Sequence, residues 1–279
     1  MEPVRQTPTA LVTGASAGLG AEFAAQLAAR GHNLVLVARS ADRLRLLADQ
    51  LHAEHGVGVR VIAQDLTAPD AVARITAQLA AAGVTVDLLV NNAGFGTAGR
   101  FEEIPDGRDQ DQLMVNVVSL VGLTRALIPG MLTRGHGGVI NVGSTAGFQP
   151  SPYFATYSAG KTFVLNFSLA LRSEFQDRGV RVLALCPGPT QTSFFDTVGE
   201  QAALGGKLMP ASAVVRAALR GLDRGRAYVV PGFGNALGAH LTPRRPRRLV
   251  TAISKLVTRS VLREPKPVPA AQPPQRQSA

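Results

Sequence analysis

Short runs that are apolar on both faces alternate with longer amphipathic stretches along most of this chain, and few folds tolerate that alternation. The runs Ala10–Thr13, Asn33–Ala38, Gly58–Ala63, Asp87–Asn91, Gly138–Val142, Arg181–Cys186 and Ala227–Val230 read as strands. Leu34-Val35-Leu36-Val37 has no polar face, so both sides of its sheet must be covered, as when helices pack on both faces of a parallel sheet. The stretches Gly18–Arg30, Ala41–His55 and Ala71–Ala82 supply helices of that kind. Repeated β-α units with buried strands predict an α/β fold, a Rossmann-like doubly wound parallel sheet. Ligands on such a sheet bind at the carboxyl ends of the strands. The residues that follow each strand therefore carry the functional reading.

After Leu11-Val12 the chain runs Thr13-Gly14-Ala15-Ser16-Ala17-Gly18-Leu19-Gly20 and on into the helical Ala21–Ala29. Glycines placed there let the backbone turn sharply and approach a pyrophosphate. The helix start offers free N–H groups and the positive end of its dipole. The spacing is G-x-x-x-G-x-G, not the G-x-G-x-x-G of the standard dinucleotide fingerprint, so a turn that needs glycine for geometry alone stays open at this point. The end of the second strand discriminates between coenzymes, because an acid there bonds the ribose hydroxyls of NAD and an arginine accommodates the 2′-phosphate of NADP. The sequence is Val37-Ala38-Arg39-Ser40, with no acid before Asp42. Arg39, helped by Ser40 and Arg43, suits a phosphate dianion, and NADP(H) is expected in preference to NAD(H).

Tyr157-Ser158-Ala159-Gly160-Lys161 opens a helical segment reaching Arg178. Tyr157 and Lys161 stand one turn apart on the same face of that helix. A phenol of ordinary pKa ~10 is a poor acid-base catalyst at neutral pH, and a neighbouring ammonium favours its ionisation. Upstream, the buried strand Val139-Ile140-Asn141-Val142 leads through Gly143 to Ser144, a hydroxyl at the carboxyl edge that can hold a carbonyl oxygen. Asn116 interrupts the apolar helical run Met114–Val118, where a polar side chain needs a hydrogen-bonding reason.

With these residues in order, the chain from Pro8 to Val230 resembles a short-chain dehydrogenase/reductase. The resemblance rests on Thr13-Gly-x-x-x-Gly-x-Gly20, Asp65, Asn91-Asn92-Ala93-Gly94, Asn116, Ser144, Tyr157-x-x-x-Lys161 and Pro187-Gly188-x-x-x-Thr192. It implies a catalytic set of Asn116, Ser144, Tyr157 and Lys161. Tyr157 protonates a carbonyl oxygen as hydride arrives, and Ser144 orients that carbonyl. Lys161 grips the nicotinamide ribose and lowers the Tyr157 pKa. Asn116 kinks its helix and holds a relay water. The resemblance also implies that Gly14, Ser16, Gly18, Leu19 and Gly20 line the phosphates, while Asp65 and Leu66 contact the adenine. Asn92, Ala93 and Gly94 back the adenosine ribose, and Pro187, Gly188, Thr190 and Thr192 face the nicotinamide. Ala17 departs from the basic residue common in NADP-dependent members, which leaves Arg39 to select the phosphate. The implied activity is NADPH-dependent carbonyl reduction or alcohol oxidation at a CH–OH group, in a homodimer or homotetramer. No metal is expected. The alternative is a cofactor-sensing or scaffold protein that keeps the fold and binds a membrane or partner through its tail.

Around the expected nicotinamide site the residues are mostly apolar, and Phe95, Phe148, Phe154, Pro189 and Phe194 are assigned to a substrate pocket. Pro150, Pro152, Tyr153 and Phe195 belong to the same surroundings, with little fixed charge besides Asp196 and Glu200. A hydrophobic ketone, aldehyde or secondary alcohol fits better than a small anion. The segment from Ser193 to Met209 could close over it as a lid. Of the net charge of +10, residues Pro243–Ala279 hold nine basic side chains and one acid, so the remainder is nearly neutral. The chain thus divides into an arm (1–8), a single oxidoreductase domain (9–242), a basic amphipathic helix (243–264) and a disordered tail (265–279).

Leu249, Val250, Ile253, Leu256, Val257, Val261 and Leu262 recur at helical spacing, opposite Arg248, Lys255 and Arg259. Two readings follow: a helix docked on its own domain or on a second subunit with its charges in water, or a peripheral membrane contact through 245–263. Nucleic acid is not expected as a partner, because no motif or interleaved aromatic accompanies the charge. No apolar run approaches the ~20 residues that span a bilayer, and Met1–Pro8 lacks a signal-peptide stretch. Cys186 has no partner for a disulfide. A cytoplasmic protein is expected, with peripheral membrane attachment as the variant.

Overall fold

The structure is a computed structural model that describes residues 7–192 and 208–262. Strands β1 (Thr9–Thr13), β2 (Asn33–Ala38), β3 (Val59–Ala63), β4 (Leu88–Asn91), β5 (Gly137–Val142), β6 (Val180–Leu185) and β7 (Tyr228–Val229) form one sheet. Its order is β3-β2-β1-β4-β5-β6-β7, with every pair parallel. Every expected strand is present, each with bounds within one residue of those read from the sequence. The order reverses between β1 and β4, and a crevice opens at that switch point.

Alternate residues of each strand face opposite sides, which is why the strand sequences carry no polar face. On one side Val12, Leu34, Leu36 and Leu185 pack against Phe23 and Leu27 of α1 (Gly18–Ala28), Leu44 of α2 (Ala41–His55) and Val215 of α7 (Ala211–Asp223). On the other, Leu11, Val35, Leu89 and Val182 meet Ile75 of α3 (Ala71–Ala81) and Leu123 and Met131 of α5 (Ser119–Arg134). Between them in the chain lie α4 (Arg108–Leu113), and α6 (Ala155–Phe175), which begins two residues before Tyr157. The edge strand β3 departs from the pattern, because only one neighbouring strand covers it and Arg60 and Ala63 are exposed.

A polar thread crosses this core. Asn91 of β4 donates to Thr124 Oγ1 at 3.0 Å and to Asn141 Oδ1 of β5 at 2.9 Å. Asn141 in turn donates to Ser168 Oγ of α6 at 3.0 Å. The Asn91 amide nitrogen, Asn141 and Ser168 are paired in this way, whereas Asn91 Oδ1 is buried without a partner, which costs about 1–3 kcal/mol. They also fix α5 and α6 against the strands that carry the catalytic edge.

One sequence expectation needs correction. Arg108–Arg134 is one continuous helical segment of 27 residues, long and apolar enough to cross a membrane, with a mean hydropathy of 1.6 over an 18-residue window within it. Its inner face, Leu120, Leu123, Ile128 and Met131, is buried on the sheet, and Asn116 faces the loop after β4, so it serves as a core helix. The sequence concealed its length because Asn116, Arg125 and Pro129 interrupt it. Beyond β7 the chain turns at Gly232 into α8 (Phe233–Leu241), inside the expected domain. Gly234 and Gly238 weaken its helix propensity, and the buried Ala239 and the packing of Asn235 hold it. A single 3₁₀ turn (Thr242–Arg244) then leads to α9 (Arg247–Thr258). The arm before residue 7 and the tail after residue 262 lie outside the described residues.

Candidate active site

The glycine loop after β1 is shaped by contacts that only glycine permits. Gly14 and Gly18 have φ of +65° and +56°, in the left-handed region. A Cβ on Gly14 would sit 2.9 Å from Ala93 Cα, and one on Gly20 would run into the Gly14 carbonyl. Thr13 Oγ1 accepts the main-chain N–H groups of Asn92 and Ala93 at 3.0 Å, tying the loops after β1 and β4 together. The Asn92 amide donates to Thr13 O at 2.9 Å. Its side chain therefore braces the glycine loop. Leu19 likewise turns inward and packs against the core. Ser16 is half-buried in the loop. Helix α1 has Ala17 as its N-cap with no side-chain cap bond, so its first N–H groups are left for a ligand.

Arg39 is exposed at the end of β2. It lies close enough to Asp65, after β3, to help hold that carboxyl below the usual carboxylate range. The larger cause is the Thr67 main-chain N–H, which bonds the Asp65 carboxylate at 2.9 Å. Leu66 is buried, with its carbonyl bonded by Ser119 Oγ at 2.8 Å. The loop Pro187–Thr192 arches back to the glycine turn, where a Cβ on Gly18 would come within 3.1 Å of Thr192 Cβ. Thr190 Oγ1 bonds Gly188 O at 2.9 Å, and Pro189 O accepts Met209 N at 3.0 Å. One residue escaped the sequence reading: Asn235 of α8 closes on Gly188, where a Cβ would lie 2.6 Å from its Cγ. No motif flags it, because the contact joins segments far apart in the chain.

At the catalytic edge, Ser144 follows β5 and caps the 3₁₀ turn Thr145–Phe148 by accepting Ala146 N at 3.1 Å. Tyr157 reaches across to hydrogen-bond the Ser144 side chain. Lys161 is 5% exposed, its Nζ 5.7 Å from the Tyr157 ring centre and donating to Val142 O at 2.7 Å. Asn116 is 2% exposed within a π-helical turn, Met114–Val118, inside the long helical segment. Its amide clasps Phe95, accepting the N–H at 3.1 Å and donating to the carbonyl at 2.8 Å. Gly94 lies between the two groups. A Cβ there would come 2.9 Å from Asn116 Oδ1 and 3.6 Å from Lys161 Nζ. The four residues thus meet at one point of the sheet edge.

The electrostatics differ from the sequence expectation. Burial pushes Tyr157 up to about 12, opposed by the Ser144 hydrogen bond. Burial also pulls Lys161 down to about 8. Buried Cys186 sits behind both and is itself raised to about 12 by burial. The protein shell alone disfavours both charged forms, because each has been taken out of water.

A stability consequence follows. The fall of Lys161 from 10.5 to about 8 corresponds to about 3 kcal/mol against its charged form. Lys161→Met removes that cost and loses the bond to Val142 O, so the melting temperature at pH 7 is expected to rise while turnover disappears. Wild type recovers the difference as pH climbs from 8 to 10.5, where the folded state sheds the proton first. Calorimetry across that range checks it, and a gain that grows with pH would contradict it.

The expected pocket residues divide. Phe154 packs edge-on against the Tyr157 ring at 6.4 Å, and Phe148 leans on Tyr228 at 6.0 Å. The Arg108 guanidinium lies 4.1 Å over the Phe95 ring. This places a fixed charge at a rim expected to have little, because α4 folds back over the loop after β4. Tyr153 has φ of +66°, the one positive value outside glycine among the described residues, and its carbonyl accepts Gly99 N at 2.9 Å. Pro189 lies within the Pro187–Thr192 loop. Phe194, Phe195, Asp196, Glu200 and most of the expected lid lie outside the described residues.

Comparison with known proteins adds to this geometry. A family model described as short chain dehydrogenase matches residues 8–203. The chain is 39% identical over 175 residues to a very-long-chain 3-oxoacyl-CoA reductase of Aspergillus clavatus, covering 62% of this chain and 51% of that protein. It is 36% identical over 182 residues to the Bos taurus protein of the same name, covering 64% and 58%. The chain therefore spans little more than half the length of these curated relatives. Among solved structures, a short-chain dehydrogenase from Sphingobium yanoikuyae in complex with NADPH superposes with a TM-score of 0.77. It is 35% identical, with 85% of this chain and 93% of that one covered. The bulky-bulky ketone specific alcohol dehydrogenase from Comamonas testosteroni gives a TM-score of 0.75 at 32% identity, over 95% and 99% of the two chains.

Proposed function

Since the chain belongs to the short-chain dehydrogenase family of oxidoreductases, we propose that it uses NADPH to reduce a bulky hydrophobic ketone or aldehyde, and runs the reverse oxidation of the alcohol. The observation that carries this reading is the Tyr157–Ser144 hydrogen bond set above a buried Lys161 at the carboxyl edge of β5. A protein that only sensed cofactor or served as a scaffold has no need of that phenol.

The residues fit a dinucleotide. The uncapped start of α1 and the glycine turn before it would cradle a pyrophosphate, and glycines 14, 18, 94 and 188 let the surrounding segments close in where a Cβ would press on neighbouring protein atoms. Arg39 stands where a 2′-phosphate would be recognised. When bound, the coenzyme supplies the hydride. Ser144, its oxygen already held by Ala146 N, keeps its own proton to donate toward a carbonyl oxygen. Tyr157 stays protonated at neutral pH, because burial opposes the phenolate, and gives that proton to the same oxygen. Lys161, buried beside it with Nζ 5.7 Å from the Tyr157 ring centre, is positioned to hold ribose hydroxyls, and its charge would favour the phenolate left behind. Phe154 fixes the ring plane of Tyr157 by edge contact.

The apolar lining by Phe95, Phe148 and Phe154 supports a hydrophobic substrate, as do the names of the 3-oxoacyl-CoA and bulky-ketone relatives. The test is NADPH consumption against bulky ketones and 3-oxoacyl thioesters of graded chain length. Turnover that rises with apolar bulk supports the reading, and no turnover with any carbonyl would refute it.

We also expect a homo-oligomer. Leu113, Val118 and Phe163 are exposed on neighbouring helical segments, with Phe163 stacked on Phe167 at 5.6 Å. Phe163→Glu is expected to lower the mass measured by light scattering to that of a smaller assembly; an unchanged mass would place the contact elsewhere.

A further inference from the structure

The two C-terminal helices present an apolar ridge outward. On α8, Phe233, Leu237 and Leu241 recur every fourth residue, and Phe233 is 87% exposed. On α9, Leu249, Ile253 and Leu256 share one stripe, with Leu256 75% exposed. The face that α9 turns inward is the less apolar one, Val250, Ser254 and Thr258, and Ser254 Oγ is buried there without a hydrogen-bond partner. A helix docked for the benefit of its own domain buries its most apolar stripe. This one does the reverse, so a helix resting on its domain with only charges in water does not describe it.

The charge on the same extension indicates what the ridge meets. Arg244, Arg245, Arg247, Arg248, Lys255 and Arg259 are exposed or at the helix edge, and no acidic residue occurs between Asp223 and Glu264. A second copy seated on this face would bring the same cations against these with no acid to pair them. Residues 265–279 are also net basic and are repelled for the same reason. A nucleic acid would answer the charge and leave the apolar stripe in water. Anionic lipid answers both, since basic amphipathic helices bury one face below the headgroups and pair the other with them.

We propose that α8 and α9 form a docking surface for an anionic lipid bilayer. The ridge adjoins the substrate side of the cleft. Asn235 of α8 packs on Gly188, and His240 Nε2 lies 2.7 Å from the hydroxyl of Tyr228, whose ring meets Phe148. Docking therefore places the mouth of the cleft at the bilayer, where water-insoluble carbonyl compounds accumulate. This last step rests on the reductase reading, whereas the docking does not.

The test is sedimentation of the full chain with phosphatidylglycerol–phosphatidylcholine vesicles and with phosphatidylcholine vesicles alone, each variant having been checked for an unchanged melting curve. Wild type is expected to bind the anionic vesicles, with binding that falls as salt is raised. R248Q/K255Q should weaken it about 25-fold at low salt, taking about fivefold for each cation. F233S/L249S/L256S should weaken it at least tenfold at every salt concentration. Equal binding to both vesicle types, or a serine variant that binds as wild type does, overturns the proposal. So does a serine variant that halves the solution mass without altering vesicle binding, since that assigns the ridge to a second copy. A reductase without vesicle binding refutes docking alone, and vesicle binding without turnover refutes the reductase reading alone.

Discussion

Tyr157→Phe is expected to lower kcat by about a thousandfold, at the middle of the range for loss of a positioned general acid, or about 4 kcal/mol of barrier. The substitution deletes one oxygen and leaves the ring, so the edge contact with Phe154 remains. NADPH affinity and melting temperature should therefore change little. Substrate KM should move by much less than kcat, because the lost interaction matters most as negative charge develops on the carbonyl oxygen. Residual turnover would come from Ser144, still held by Ala146 N and able to donate. Steady-state kinetics with coenzyme binding measured in parallel decides the matter. Equal rates for the two proteins would remove Tyr157 from the chemistry and return weight to the cofactor-sensing or scaffold alternative.

Arg39→Asp carries the second large effect. Hydrogen bonds to a charged partner contribute about 1.5–3 kcal/mol, and reversing the charge adds repulsion of the 2′-phosphate. A weakening of NADPH binding by roughly a hundredfold or more is expected. NADH should be affected far less, since a carboxylate at the end of the second strand accepts ribose hydroxyls. The neighbouring Asp65 makes the change sharper. Arg39 helps to hold its carboxyl low, and the variant would set two acids at the adenine end of the cradle. Titration calorimetry with both coenzymes measures the ratio directly. An unchanged preference would show that the phosphate is selected by other residues.

What could be read in the sequence was whatever depends on near neighbours. The strands were recognisable because a doubly covered sheet forces both faces of each strand to be apolar within a few residues. The glycine loop was recognisable because backbone at positive φ needs glycine at fixed spacing, and Tyr157 with Lys161 because one helical turn sets their separation. The tertiary structure decided everything that joins distant segments. Ser144 meets Tyr157 only because β5 and α6 are packed together, partly through the Asn141–Ser168 bond. Lys161 turned out to bond Val142 O, and burial, which local sequence does not report, moved its pKa and that of Tyr157 in unhelpful directions until an anion or coenzyme is near. Asn92 became a brace for the glycine loop, and Asn235 arrived from beyond the recognisable core. The amphipathic pattern of Arg247–Thr258 was visible from its spacing alone. Which face it would show to water was not, because periodicity fixes the angle between two faces and only packing against the rest of the protein chooses which of them turns outward.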